Sequence, residues 1–106
     1  MGTTVQHIPF PTPPTPTACR RIPRMFDVDR GEATDPAAAD RIETAKAACR
    51  RCPVAESCLR WALAHPDATR TNVWAATTAG ERTRLRARLA RRLGPNWTAA
   101  LARPTN

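Results

Sequence analysis

The residues of this chain best able to do chemistry are four cysteines, Cys19, Cys49, Cys52 and Cys58, in the ladder Cys-x29-Cys-x2-Cys-x5-Cys. Thiolates are soft ligands and redox-active nucleophiles, so three chemistries fit the set: two disulfides, a structural zinc site, or an iron-sulfur cluster. Disulfides need an oxidising compartment, and residues 1–10 carry neither the basic start nor the apolar core of a secretory signal. A cytoplasmic chain with reduced thiols is the expectation. Zinc stays open, because Cys49-x2-Cys52 is a common half-site and the remaining cysteines complete a four-sulfur set. Three ligands within ten residues and one far upstream suit a cluster, whose separate irons spread the attachment points.

Other chemistry finds no constellation. No nucleophile, base and orienting acid stand at motif spacing, so the chain is expected to be neither an enzyme nor a binder of a small-molecule substrate. Thiol-disulfide exchange through Cys49 and Cys52 after loss of a metal is conceivable, but the strand-helix context of such sites is missing. His7 and His65 have no metal-pair spacing, and His65 reads as a helix-end cap.

The elements that must hold the sulfurs are helical. Asp35-Pro36 is an N-cap with proline at the first helical position, and the alanine-rich run 37–51 places Ile42, Ala45 and Ala48 or Cys49 on one face. Pro53 interrupts the pattern, which sets Cys49 and Cys52 on the bend into a second helix, 54–64. There Cys58, Trp61 and Ala62 or His65 share a face, and Pro66 stops the helix. Residues 67–77 have no helical period and read as a loop with a tight turn around Val73-Trp74. Thr78-x-x-Glu81 is a capping box for a third helix, 79–93, with Gly94-Pro95 as its stop and Leu85, Leu89 and Leu93 as its docking stripe. Asn96 could cap a short turn through Trp97 and Leu101. The expected architecture is all-α: a small bundle of three to four short helices around a metal centre, with a C-terminal tail at 95–106.

Residues 1–17 lack charged side chains and hold five of the eleven prolines, so they read as a disordered arm of polyproline character. With two Phe, three Trp and no Tyr in 106 residues, the interior is thin, and a cofactor staple is expected. The formal net charge is +8, and sixteen of the seventeen basic residues are arginine. Every acidic residue lies at or before Glu81, whereas Arg82, Arg84, Arg86, Arg88, Arg91, Arg92 and Arg103 follow with no acidic neighbour. A block of that kind suits phosphate backbones; its bland counterpart is a solvated helix that keeps the chain soluble. No stretch has the apolar length of a membrane span, and no membrane partner is expected.

Three features occur in fixed order. Cys19 is followed by Met25-Phe26, then comes Cys49-x2-Cys52-Pro-x4-Cys58-Leu-x2-Ala62-Leu63, then Val73-Trp74 and Glu81-Arg82 before a basic helix. Together they resemble the WhiB-like proteins of actinobacteria and their phages over about residues 18–93, and the cysteine ladder with its adjoining leucines and alanine is the specific part. The resemblance implies a helical domain over 18–94 built around a [4Fe-4S] cluster with Cys19, Cys49, Cys52 and Cys58 as ligands. It further implies a transcription regulator, responsive to oxygen or nitric oxide, that binds the C-terminal domain of the primary sigma factor and reaches promoter DNA through its basic end. Phe26, Trp61, Val73 and Trp74 form the expected partner-facing set, and Arg82, Arg84, Arg86, Arg88, Arg91 and Arg92 the expected DNA-facing set. A zinc- or cluster-stapled module that sequesters a sigma factor without touching DNA is the alternative.

Where this chain reads Asn72-Val73-Trp74-Ala75-Ala76, the family usually shows Gly-Val-Trp-Gly-Gly. Left-handed backbone costs alanine more than glycine, so a reshaped turn is expected. A cluster with four thiolates carries net negative charge, and Arg20-Arg21 and Arg50-Arg51 flank two of the ligands, where they could favour the thiolates or simply be solvated. Phe26 and Trp61 are candidates for an apolar lid over the cluster, with ordinary core packing as the other reading. Trp74, in a loop of small neighbours, is expected to be an exposed anchor for a protein partner rather than a wedge onto the body.

Overall fold

The computed structural model describes residues 8–29 and 31–102, and the described part is helical without a strand. Two four-residue helices come first, α1 (Ala18–Arg21), which carries Cys19, and α2 (Pro23–Phe26), and Pro23 starts α2 where a missing N–H costs nothing. Neither was expected, because four residues are too short to show a period. Asp35 accepts the Ala37 N–H at 3.0 Å, opening a 3-10 turn, Pro36–Ala38, that runs into α3 (Ala39–Arg50). A tight bend follows, with the Cys52 N–H on the Cys49 carbonyl at 3.0 Å, and α4 (Ala55–Ala64) begins beyond Pro53. The Cys49 and Cys52 pair therefore straddles the bend, as expected.

The capping box at Thr78 is present: the Thr78 N–H donates to Glu81 Oε1 at 2.8 Å and the Glu81 N–H to Thr78 Oγ1 at 3.4 Å. It opens α5 (Ala79–Leu93), which ends on Gly94 at φ 79°, and α6 (Trp97–Ala102) closes the described chain. Six short helices thus replace the three or four expected. The loop before α5 begins with a 3-10 turn at Pro66–Ala68 and carries an isolated bridge between Trp74 and Thr77.

The core gathers Phe26, Val28, Ala38, Ile42, Ala45 and Val73, with Met25 and Cys49 packed against it. Ile42 and Ala45 fill the inward face of α3 that their spacing marks. A fully buried side chain the size of Phe26 or Ile42 contributes on the order of 2 kcal/mol. On α5, Leu85 and Leu89 are half-buried but Leu93 is 49% exposed, so the docking stripe is one turn shorter than expected. Arg41 ties the entry segment down by donating to the carbonyls of Arg24 and Asp27 and pairing with Glu32 at 2.8 Å.

The proline-rich segment needs correction. Residues 1–7 lie outside the described residues, but residues 8–17 rest on the body: Ile8 is buried and Phe10 sets its ring edge-on against Trp61 at 4.8 Å. Apolar residues two apart in an otherwise polar, proline-rich run were the overlooked signal.

Candidate metal centre and its flanking surfaces

Each sulfur arrives on a different piece of backbone. Cys19 lies in α1 and is exposed, with Thr17 Oγ1 3.0 Å from its Sγ. Cys49 comes from the last turn of α3, Cys52 from the bend, and Cys58 from the first turn and a half of α4; all three are half-buried. All four line one cavity of about 330 Å³. Its walls are mainly apolar and include Phe26, Val54, and Asn72 through Ala75 of the loop before α5. As the side chains stand, no three His, Cys, Asp or Glu among the described residues form a group that could hold a metal ion. A single zinc would need its sulfurs about 2.3 Å from one centre, so the ring would have to close in around it. Four thiolate donors lining one cavity fit a single zinc or an iron-sulfur cluster as a donor set.

Burial and mutual repulsion govern the thiols around the cavity. Burial pushes the Cys58 thiol up to about 12, and the neighbouring Cys49, Cys19 and Cys52 push in the same direction. Cys49 is likewise raised, first by burial and then by Cys19 and Cys52, while the backbone N–H groups of Ala76 and Ala75 oppose the rise. Left to themselves these thiols stay protonated at neutral pH; a bound metal supplies the charge that lets them ligate as thiolates. Arg20, Arg21, Arg50 and Arg51 are all exposed, none figures among the influences on Cys49 or Cys58, and Arg20 lines the cavity beside Cys19.

The loop that walls the cavity keeps left-handed backbone at the three positions where a glycine was absent: φ is 69° at Asn72, 50° at Ala75 and 63° at Ala76. The expected reshaping is therefore not seen at these residues. Tertiary bonds hold the start of the turn. The Asn72 N–H donates to the Val28 carbonyl at 3.0 Å, Asn72 Oδ1 accepts from the Val28 N–H at 2.9 Å, and the Val73 N–H donates to the Phe26 carbonyl at 2.9 Å.

Two members of the expected partner-facing set are corrected by this packing. Phe26 is 5% exposed and Val73 4%, because both belong to the core; neither presents a surface. Trp61 and Trp74 are half-buried, stacked with centroids 5.6 Å apart and planes at 27°, and Trp61 stacks in turn on His65 at 4.2 Å. Trp74 is thus part of an aromatic layer rather than a free anchor, with Phe10 covering its edge at 6.4 Å. His65 does cap its helix, with Nδ1 2.7 Å from the Trp61 carbonyl.

The basic helix is corrected in the same way. Arg82 is fully buried and donates to the carbonyls of Thr69, Thr71, Asn72 and Thr77, so it cannot reach a phosphate. Arg86 is half-buried and donates to the carbonyls of Leu63 and Ala62, each at 2.8 Å, and to Thr69 Oγ1. One face of α5 binds the body through guanidinium groups, which a count of charges along the sequence cannot distinguish from a wet cationic face. Arg84, Arg88, Arg91 and Arg92 remain exposed; Arg103 lies outside the described residues.

Among the described residues no helix is long and apolar enough to cross a membrane. No curated protein matches the chain, and neither does any solved structure. A family model does match: the one described as Transcription factor WhiB, over residues 15–85, a span that contains all four cysteines, the 72–76 turn and the buried Arg82. The chain therefore belongs to the WhiB family of transcription factors.

Proposed function

We propose that this chain is an iron-sulfur transcription regulator in which Cys19, Cys49, Cys52 and Cys58 hold a [4Fe-4S] cluster. The observation that carries the reading is the meeting of all four cysteines, from α1, α3, the bend and α4, around one mainly apolar cavity. When bound, such a cluster supplies a group whose integrity responds to oxidants and nitric oxide. The protein's own part is to shield it: Phe10, Trp61 and Trp74 form an aromatic layer beside the cavity and slow the approach of water and oxidant.

The same layer is the surface we assign to the C-terminal domain of the primary sigma factor, since half-buried tryptophans give large contact area at low entropic cost. Arg84, Arg88, Arg91 and Arg92 are assigned to promoter phosphates. Removal of the cluster would leave raised thiols crowded in one cavity and release the bend between α3 and α4, and so alter both surfaces.

Anaerobic purification tests the assignment. A brown protein with about four irons and four sulfides per chain is expected, whereas a colourless protein carrying one zinc overturns the cofactor reading. Binding of the loaded chain to the sigma domain, with and without promoter DNA, tests the partner assignment; capture of the domain without any DNA contact would favour a sequestering module.

A further inference from the structure

Among the described residues Arg82 is the one charged side chain that is buried, at 0% exposure. Burial lowers its pKa to about 10, so it remains a cation at neutral pH. Its hydrogen-bond acceptors are all neutral oxygens, and its Nε is the one buried side-chain polar atom among the described residues without a partner. A buried cation without a carboxylate is costly, and removing it leaves carbonyls unpaired. What it does there is visible in the order of its acceptors. Nη2 reaches the carbonyls of Thr69, Thr71 and Asn72 at 2.8, 2.8 and 3.1 Å, before the turn. Nη1 reaches the Thr77 carbonyl at 2.7 Å and its hydroxyl at 3.2 Å, after the turn. Asn72 to Ala75, at and between these anchors, are the loop wall of the cysteine cavity.

We propose that Arg82 is a positioning residue for the cysteine cavity: its planar fork closes the 69–77 loop from both sides, seats the 72–75 wall against Cys49 and Cys58, and joins that wall to the basic helix. A lysine cannot replace it, because a single ammonium lacks a fork able to span both ends of the loop. Since Arg82 lies in the second turn of α5, any displacement of the wall on emptying the cavity is passed to the helix that carries Arg84, Arg88, Arg91 and Arg92. The positioning role stands on the hydrogen bonds alone; its use as a relay rests on the metal-centre reading above.

The full chain tests this as wild type, Arg82→Lys and Arg82→Met. In the first arm each is emptied with EDTA under anaerobic reductant and alkylated with iodoacetamide, and modification is read cysteine by cysteine by peptide mass spectrometry. Cys49 and Cys58 are expected to react several-fold faster relative to Cys19 in both variants, with the helical circular dichroism of Arg82→Lys unchanged. A uniform rise at all four cysteines would mean that Arg82 merely holds the fold, and no change would mean that the wall does not depend on it; either overturns the proposal. If Arg82→Met loses its helical signal, Arg82→Lys carries the comparison.

In the second arm, hydrogen exchange is compared between the iron-loaded and emptied chain. Emptying should speed exchange in both 72–77 and the first turns of 79–93 of wild type, but only in 72–77 of Arg82→Lys. A helix that responds equally in both chains overturns the relay. If wild type takes up no iron, the cofactor reading falls by itself, while the alkylation arm still decides the role of Arg82.

Discussion

Trp61 and Trp74 stack with ring centroids 5.6 Å apart although they lie on α4 and on the loop before α5, so one aromatic contact joins the segment bearing Cys58 to the wall facing it. Trp74→Ala removes that contact and opens the layer. Unfolding should be easier by about 1–2 kcal/mol, the sum of a lost aromatic pair and part of a large buried area. Affinity for the sigma domain should fall at least about tenfold if this layer is the docking surface, since truncated aromatic anchors commonly cost 2 kcal/mol or more. Denaturant titration and calorimetry with the purified domain separate the effects. Unchanged affinity would place the docking surface elsewhere.

Ala75 and Ala76 hold φ of 50° and 63°, where a Cβ crowds the backbone. Glycine at either position relieves that strain of about 1–2 kcal/mol, less the extra entropy that glycine loses on folding. Ala75→Gly and Ala76→Gly should each raise stability by about 0.5–1 kcal/mol, read as a higher denaturant midpoint with an unchanged slope. A lower midpoint would show that the methyl groups contribute packing worth more than the strain.

How far the sequence disclosed all this depends on the range of each interaction. The inward face of α3, the bend at Pro53 and the capping box of α5 are set by neighbours within four residues, and each stands where its pattern placed it. The cysteine ladder likewise pointed to one place, and all four cysteines line one cavity. What stayed hidden was long-range. Arg82 and Arg88 look alike in sequence, yet one binds carbonyls 5 to 13 residues upstream and the other faces solvent. Val73 looked like part of a presented loop because nothing local says that Phe26 and Val28 would take its strand of backbone as their hydrogen-bond partner. Asn72, by contrast, gave fair warning: it is the non-glycine residue that best tolerates a left-handed backbone, and its side chain pairs with Val28.

The division among the α5 arginines has opposite consequences for binding and for stability. Arg88→Ala removes an exposed charge, so stability should change by less than about 0.5 kcal/mol, while the salt slope of DNA binding drops by about one. Arg86→Ala takes the guanidinium donor from the Leu63 carbonyl and one of three donors from the Ala62 carbonyl, which Thr69 and the His65 N–H still serve, and should cost about 1–3 kcal/mol of stability. Thermal melts and salt titrations of both variants check the contrast. A salt slope untouched by Arg88→Ala would remove that residue from the DNA-facing set.

Glu81 completes the cap of α5 and pairs with Lys46 of α3 at 3.0 Å, so its ionisation governs how firmly two helices are joined. Burial works against its charge, but the Thr78 N–H and Lys46 outweigh it and hold the carboxyl below its ordinary value of 4.5. A depressed carboxylate stabilises the fold fully above its unfolded value and progressively less as pH falls through the folded one. Glu81→Gln can still accept from the Thr78 N–H but cannot attract Lys46. The variant should therefore melt below wild type at neutral pH, and the gap should close as pH falls below the ordinary carboxylate range and through the lowered value of Glu81, where wild type loses the same charge. Added salt should narrow the gap as well, because the pair is partly exposed. Parallel melting curves across that pH range would mean that the hydrogen bond of the cap, and not the charge on Glu81, holds the start of α5.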